Sequence, residues 1–130
     1  MPGARPISRV LVVDDEHLVA DTLALILKGK GFEARAAYSG EEAAELSLTW
    51  APDAVITDVL MGPMDGASLA IYLSQALPSC KVLLMSGHPG TVDLLNAAKS
   101  QGHEFPILAK PVPPNEILDF LGPSAAIGEA

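Results

Sequence analysis

Short apolar runs alternate with longer amphipathic stretches along the chain. Each apolar run stops at charge, glycine or proline, which is typical of strands buried on both faces of a sheet. Between the runs, apolar positions recur at spacings of three and four, as on one face of a helix. The predicted strands are 7–13, 32–37, 54–57, 81–85 and 105–109, and the predicted helices are 16–28, 40–50, 67–76, 91–100 and 114–121.

Local end signals support these helices. Ser39 to Glu42 matches a capping box, in which a serine and a glutamate satisfy free amides at the start of a helix. Gly29 and Gly31 follow the first helix, where glycine is a common terminator. Pro114 suits the first turn of the last helix.

Five strand–helix units in succession predict an α/β fold with a parallel sheet and helices on both faces. Right-handed crossovers leave only a few doubly wound topologies. In this class of fold, ligands bind at the carboxyl ends of the strands, near the point where the strand order reverses. With the strand order 2-1-3-4-5, the second strand lies at the edge and the other four are neighbours.

Chemically active side chains stand at the ends of those four strands. The first strand ends at Asp14, Asp15 and Glu16, and the third ends at Asp58. The fourth ends at Ser86 and the fifth at Lys110, whereas the second strand ends in nothing comparable. Because neighbouring strands lie about 4.8 Å apart, these groups are expected to converge on one crevice.

Carboxylates that share a crevice repel each other. At an effective dielectric constant near 20 and a separation of about 5 Å, each pair costs roughly 3 kcal/mol. Either one carboxylate protonates or a cation binds, and oxygen ligands without histidine or cysteine suit Mg²⁺. A metal, an ammonium and a hydroxyl would together suit a phosphoryl group. Asp58, alone at the centre of the crevice, is the best candidate for a nucleophile.

Composition narrows the classes of function. The 130 residues are 49% hydrophobic and carry a net charge of −8, which favours one folded domain and disfavours direct binding to nucleic acid. A single cysteine, Cys80, excludes an intrachain disulfide. No apolar run approaches the roughly 20 residues that cross a bilayer, and residues 1–9 lack the apolar core of a secretory signal. The expectation is a soluble cytoplasmic domain without a membrane partner.

The order of these motifs resembles the receiver domain of two-component response regulators, of the chemotaxis-regulator-like superfamily. The resemblance covers about residues 7–121, and its motifs are specific only in combination. They are Val12–Glu16, Asp58–Met61, Met64–Gly66, Met85–Gly87 and Lys110–Pro111. The resemblance implies a flavodoxin-like (βα)₅ fold with strand order 2-1-3-4-5, preceded by an N-terminal extension at 1–6 and followed by a flexible tail at 122–130.

The resemblance also implies roles for individual residues. Asp58 would accept the phosphoryl group, Ser86 would be the switch hydroxyl, and Lys110 would pair with a phosphoryl oxygen. The Lys110–Pro111 bond would be cis, as is typical of the family. The implied Mg²⁺ ligands are Asp15, Asp58 and the backbone carbonyl of Leu60, with Asp14 acting through water.

The implied donor is a sensor histidine kinase or a histidine phosphotransfer domain. Phosphorylation would switch a face made by the fourth helix, fifth strand and fifth helix, which would bind a protein partner or form a homodimer. One departure weakens the expected switch, because Ile107 stands where the family often has an aromatic residue. Two alternatives remain at this point: a receiver-like binding module that works without phosphorylation, and an aspartyl-phosphate phosphatase. The phosphatase is disfavoured because its D-x-D-x-[TV] motif is missing after the first strand.

Overall fold

Five strands and five helices alternate in the computed structural model, which describes residues 7–87 and 91–123. The elements are β1 (Arg9–Val13), α1 (His17–Gly29), β2 (Glu33–Ala37), α2 (Gly40–Thr49), β3 (Ala54–Asp58), α3 (Gly66–Ala76), β4 (Lys81–Ser86), α4 (Thr91–Ser100), β5 (Ile107–Ala109) and α5 (Pro114–Leu121). This alternation confirms the predicted α/β class.

The five strands form one sheet in the order β2-β1-β3-β4-β5, and all its strand pairs are parallel. The sheet confirms the predicted flavodoxin-like arrangement. The register aligns Val13 with Thr57, Asp58 with Met85, and Ser86 with Ala109. The residues that follow these positions therefore emerge at a common edge of the sheet.

The sheet separates two apolar layers. Alternate residues of β1 face opposite sides, with Val10 and Val12 in one layer and Leu11 and Val13 in the other. The first layer is closed by α1 and α5, and the second by α2, α3 and α4. All of β3 is buried, so its position between the layers is strongly fixed.

Two strands begin later than predicted, and hydrogen bonds from outside the sheet surround their starts. The amides of Ser8 and Arg9 both donate to the Asp53 carboxylate at 2.9 Å, and the regular strand starts at Arg9 rather than Ile7. The amide of Phe32 donates to the carbonyl of Leu27 at the end of α1, so β2 starts at the next residue. Both residues that were predicted to open these strands, at 7 and 32, are nevertheless buried.

The last strand is also shorter than predicted. It starts at Ile107 instead of Phe105, because Pro106 has no amide hydrogen to donate to a neighbouring strand. Its carbonyl still accepts a hydrogen bond from the amide of Leu84 at 2.9 Å. Phe105 packs partly against the layer closed by α2, α3 and α4.

The predicted capping box at the start of α2 is present in a modified form. The Ser39 hydroxyl accepts a hydrogen bond from the amide of Glu42 at 2.9 Å. The Glu42 carboxylate reaches one residue further back than in the standard motif and accepts from the amide of Tyr38 at 2.7 Å.

The predicted extension at 1–6 lies outside the described residues, as does most of the predicted tail, 124–130. Within the described ranges, no helix has the length and apolar character needed to cross a membrane.

Candidate functional site

Three carboxylates meet at the carboxyl edge of the sheet. One oxygen from each of Asp14, Asp15 and Asp58 lies within 4.8 Å of the other two. Asp14 is fully buried, Asp58 is 3% exposed, and Asp15 faces solvent. The loop after β1 and the end of β3 supply these groups, because β1 and β3 are paired neighbours.

Lys110 directly follows the edge strand β5 and brings a positive charge to these carboxylates. Its Nζ lies 2.9 Å from Asp14 Oδ2 and 3.4 Å from Asp58 Oδ1. Its amide donates to the carbonyl of Ser86 at 2.8 Å, and the Lys110–Pro111 peptide bond is cis, as the resemblance implied. The carbon stem of Lys110 lies over Gly87, where an added Cβ would approach the Lys110 Cβ to 3.1 Å.

The hydrogen bonds at the site are unevenly distributed. Asp14 uses both oxygens, since Oδ1 accepts from the amide of Glu16 at 2.9 Å and Oδ2 accepts from Lys110. Asp58 Oδ1 is buried and accepts no aligned hydrogen bond from the part of the chain that the structure describes, although Lys110 lies within ion-pair distance. Among the described residues, the side chain of Asp15 has no hydrogen bond or ion pair. Asp58 and Asp15 therefore keep lone pairs for another ligand.

The surroundings shift the ionisation of two groups. Burial raises the pKa of Asp58, and the charges of Asp14 and Asp15 add to this, while Lys110 acts in the opposite direction. Burial lowers the pKa of Lys110, but its hydrogen bond to Asp14 and the charge of Asp58 outweigh burial, so this pKa is raised. Lys110 is consequently a cation at neutral pH.

The donor set fits a hard divalent cation. Among the described residues, the cluster contains three carboxylates and neither histidine nor cysteine, and one ammonium leaves two negative charges in excess. The buried Asp58 oxygen without an aligned hydrogen bond is a ready ligand position. The residues present therefore fit a metal ion such as Mg²⁺.

The other two predicted site residues lie beside this cluster. Ser86 is the last residue of β4, is half-buried and pairs in register with Ala109. Leu60 follows β3 by two residues and is also half-buried. Its carbonyl stays a predicted ligand.

Gly66 holds the loop after β3 against the strand end. Its amide donates to the carbonyl of Val59 at 2.7 Å, and a Cβ at this position would overlap the carbonyl oxygen of Asp58. Only glycine permits this approach, because any side chain would displace the backbone that carries Asp58.

One arrangement near the site had no clear sequence signal. The rings of His17 and Tyr38 stack with centroids 3.8 Å apart, and the Tyr38 hydroxyl donates to Asp21 Oδ1 at 2.6 Å. This hydrogen bond is the main reason that the pKa of Tyr38 is raised. The only available hint was that Tyr38 comes just before a capping box, and this hint does not reveal its partners.

Ile107 occupies the position on β5 at which the family often has an aromatic residue. Ile107 pairs with Leu84 in register and is 39% exposed. The nearest preceding aromatic residue, Phe105, lies outside the strand and stacks with His103 at a centroid distance of 6.3 Å.

Comparison with known proteins gives a consistent result. The family model described as response regulator receiver domain matches residues 10–121. A response regulator receiver protein of Anaeromyxobacter sp. (strain Fw109-5) is 37% identical over 112 residues, covering 86% of this chain and 46% of the relative. The DNA-binding response regulator MtrA of Mycolicibacterium paratuberculosis is 27% identical over 110 residues, covering 85% of this chain and 48% of the relative. The chain thus spans about half the length of these relatives.

The structural similarity covers the same region. The crystal structure of a response regulator receiver domain protein from Clostridium thermocellum superposes with a TM-score of 0.77 at 26% identity. The match covers 88% of this chain and 91% of that one.

Proposed function

Because this chain belongs to the response regulator receiver family and is a signalling module of two-component systems, we propose that Asp58 accepts a phosphoryl group in a Mg²⁺-dependent reaction. The donor is a phosphohistidine of a sensor histidine kinase or of a histidine phosphotransfer domain. The observation that carries the proposal is Asp58 Oδ1, a buried carboxylate oxygen with the Lys110 ammonium 3.4 Å away and with no aligned hydrogen bond from residues 7–87 and 91–123.

The transfer is a displacement at phosphorus. An oxygen of the Asp58 carboxylate forms the new P–O bond as the P–N bond to the donor imidazole breaks, and the imidazole nitrogen leaves with the bonding electron pair. Asp15, Asp58 and the carbonyl of Leu60 would hold the Mg²⁺, with Asp14 acting through water. A bound Mg²⁺ supplies neutralisation of the charge on the phosphoryl oxygens.

Lys110 and Ser86 act on the product. The Lys110 ammonium already lies between two carboxylates, so it is placed to exchange one of them for a phosphoryl oxygen. The Ser86 hydroxyl, one strand away from Asp58, donates to another phosphoryl oxygen. Both residues adjoin the loop after β4, and their movement shifts the balance between two packings of the α4–β5–α5 face.

The output is a protein-interaction surface. The net charge of −8 opposes direct binding to nucleic acid, so the α4–β5–α5 face binds a downstream protein or a second copy of the chain. We take residues 7–121 as the receiver domain, with 1–6 and 122–130 as flanking segments. A cytoplasmic location belongs to the same proposal and is supported by the single cysteine, Cys80.

Intact mass after incubation with acetyl phosphate and Mg²⁺ tests the proposal. The expected result is the gain of one phosphoryl group, which disappears in Asp58→Asn and in the presence of excess EDTA. Asp53→Asn is the matched control, because Asp53 lies just before the same strand at its opposite end, and this variant keeps the gain. A wild-type protein that gains nothing from acetyl phosphate, phosphoramidate or a phosphohistidine donor is a binding module instead. Steady hydrolysis of added phosphomonoesters would indicate a phosphatase.

A further inference from the structure

His17, Asp21 and Tyr38 form a small cluster beside the metal-binding turn, here called the Tyr38 cluster. The Tyr38 ring lies against the His17 ring at 3.8 Å with an interplanar angle of 21°. The Tyr38 hydroxyl donates to Asp21 Oδ1 at 2.6 Å, so Tyr38 contacts two successive turns of α1. None of the three residues belongs to the carboxylate group of the site.

Tyr38 itself is held in place from the other side. Its amide donates to Glu42 Oε1 at 2.7 Å, which ties it to the first turn of α2. The preceding residue, Ala37, ends β2, and its carbonyl accepts the amide of Asp14 at 3.1 Å. The Tyr38 cluster therefore connects the first turn of α2 to the start of α1.

The turn between these attachments carries Asp15. The flanking Asp14 is fixed by its backbone bond to Ala37, by Lys110 and by the amide of Glu16. The Asp15 carboxylate is exposed and, within the described ranges, has no hydrogen bond or ion pair of its own. Its direction is therefore set by the backbone on either side. The amide of Glu16 is bonded to Asp14, and its carbonyl accepts from the amides of Val19 and Ala20, at the start of α1. His17, two residues after Asp15, is the first side chain that holds this end of the turn from outside it.

From this geometry we propose that Tyr38 is a positioning residue. By stacking on His17 it holds the first turn of α1, and with it the Asp14–Glu16 turn, in the conformation that lets Asp15 ligate a divalent cation. The inference rests on the proposed function, since it assigns to Tyr38 a part in forming the same metal site. A ligand that is fixed before the metal arrives binds more tightly, because less conformational entropy is lost on binding.

Mg²⁺ affinity, measured by isothermal titration calorimetry on the full chain, tests the inference. Tyr38→Ala is expected to raise the Mg²⁺ dissociation constant about tenfold, the lower end of the range for loss of an outer-shell partner. Tyr38→Phe keeps the ring and loses only the bond to Asp21, so its dissociation constant is expected to stay within about twofold of the wild type. His103→Ala removes a different ring stack, on Phe105, and should leave the affinity unchanged.

A second readout separates positioning from general destabilisation. In Tyr38→Ala the amide of Glu16, which donates to Asp14 Oδ1, should exchange with solvent faster, while amides in the middle of β3 keep their protection. A purely structural role would lower the protection of both regions together.

His17→Ala provides the partner variant if Tyr38→Ala does not fold. Since the two rings act as one unit, the double variant should bind Mg²⁺ no more weakly than either single variant. Unchanged affinity in Tyr38→Ala or His17→Ala, or strictly additive losses, would overturn the inference while leaving the proposed function intact. A wild-type chain that binds no Mg²⁺ would overturn both.

Discussion

Two aspartates flank β3, and their surroundings differ sharply. Asp53 precedes the strand, and its Oδ2 accepts two backbone hydrogen bonds, from the amides of Ser8 and Arg9, both at 2.9 Å. Asp58 ends the strand beside two other carboxylates, and one of its oxygens is buried without an aligned hydrogen bond from any described residue. The same side chain is thus satisfied at one end of the strand and unsatisfied at the other.

The wider environments follow the same division. At the same end of the sheet as Asp53, two guanidinium groups lie over the Trp50 ring, with Arg9 Cζ at 5.5 Å and Arg35 Cζ at 4.8 Å from its centroid. Near Asp58, like charges accumulate and one lysine is shared between two acids. The Trp50 Nε1 is itself buried without a hydrogen-bond partner among the described residues, so the division concerns charge. The charged groups at the amino end of the sheet are paired or stacked, whereas the carboxyl end retains like-charge contacts that a cation and a phosphoryl group can relieve.

Asp58→Asn should produce the largest functional change with no loss of stability. Phosphoryl uptake is expected to vanish, because an amide oxygen is not a competent nucleophile here. The free energy of unfolding without Mg²⁺ should equal or exceed that of the wild type, because the substitution removes a buried charge from a cluster of like charges. Intact mass and urea denaturation at pH 7 measure the two quantities. A fall in the free energy of unfolding by more than about 1 kcal/mol would contradict the view that like charges destabilise this end of the sheet.

Gly66→Ala should be the most destabilising single change among these variants. The added Cβ would overlap the carbonyl oxygen of Asp58, which is backbone and cannot move aside cheaply. Overpacking against backbone is expected to cost about 3 kcal/mol, the upper end of the usual range, and it should also weaken Mg²⁺ binding by shifting the end of β3. Gly62→Ala, in the same loop, is the control, since a Cβ there would have no atom of the described residues within 4 Å. Urea denaturation should show equal stabilities for Gly62→Ala and the wild type.

Asp53→Ala should reverse the pattern seen for Asp58. Loss of the acceptor for two amides is expected to lower the free energy of unfolding by about 2 kcal/mol, while the rate of phosphorylation by acetyl phosphate stays within about twofold, since Asp53 lies at the far end of β3. Asp53→Asn keeps one acceptor oxygen and should lose less. If Asp53→Ala also slowed phosphorylation by much more than twofold, the functional roles of the two ends of the sheet would not be separable.

Arg35→Gln should have the smallest effect. It removes one guanidinium from the Trp50 ring at an exposed position, which is worth about 0.5 kcal/mol. Thermal unfolding followed by Trp50 fluorescence would detect the change. Lys30→Gln removes an equal charge from an exposed side chain that stacks on no aromatic ring of the described residues, and it serves as the control. Equal unfolding curves for the two variants would assign no stabilising role to the stacking of Arg35 on Trp50.

The fold could be predicted from the sequence because each strand is a short apolar run that ends at charge, glycine or proline, a pattern typical of buried strands. The β-branched run from Val10 to Val13, followed directly by two aspartates, favours a buried strand. The parallel sheet then brings Asp14, Asp58 and Lys110 to one edge. The convergence of these residues followed from topology alone, which is why it could be predicted without any side-chain coordinates.

Other features depended on where polar side chains find partners. Asp53 reaches Ser8, 45 positions away, and nothing in the local pattern distinguishes it from a turn residue. The stacking of Tyr38 on His17 likewise depends on how α1 packs beside β2. The missing hydrogen bond of Asp58 Oδ1 is a property of the assembled site, because it depends on the angle at which Lys110 arrives.

The ion pair between Lys110 and Asp14 joins residues that are 96 positions apart. During synthesis the two acids that follow β1 are made early, and their counter-charge is added only after nearly the whole domain has been translated. A nascent chain that stops before β5 therefore contains the acidic cluster without its ammonium. The complete charge arrangement is accordingly a late product of biosynthesis, and partial translation products should lack it.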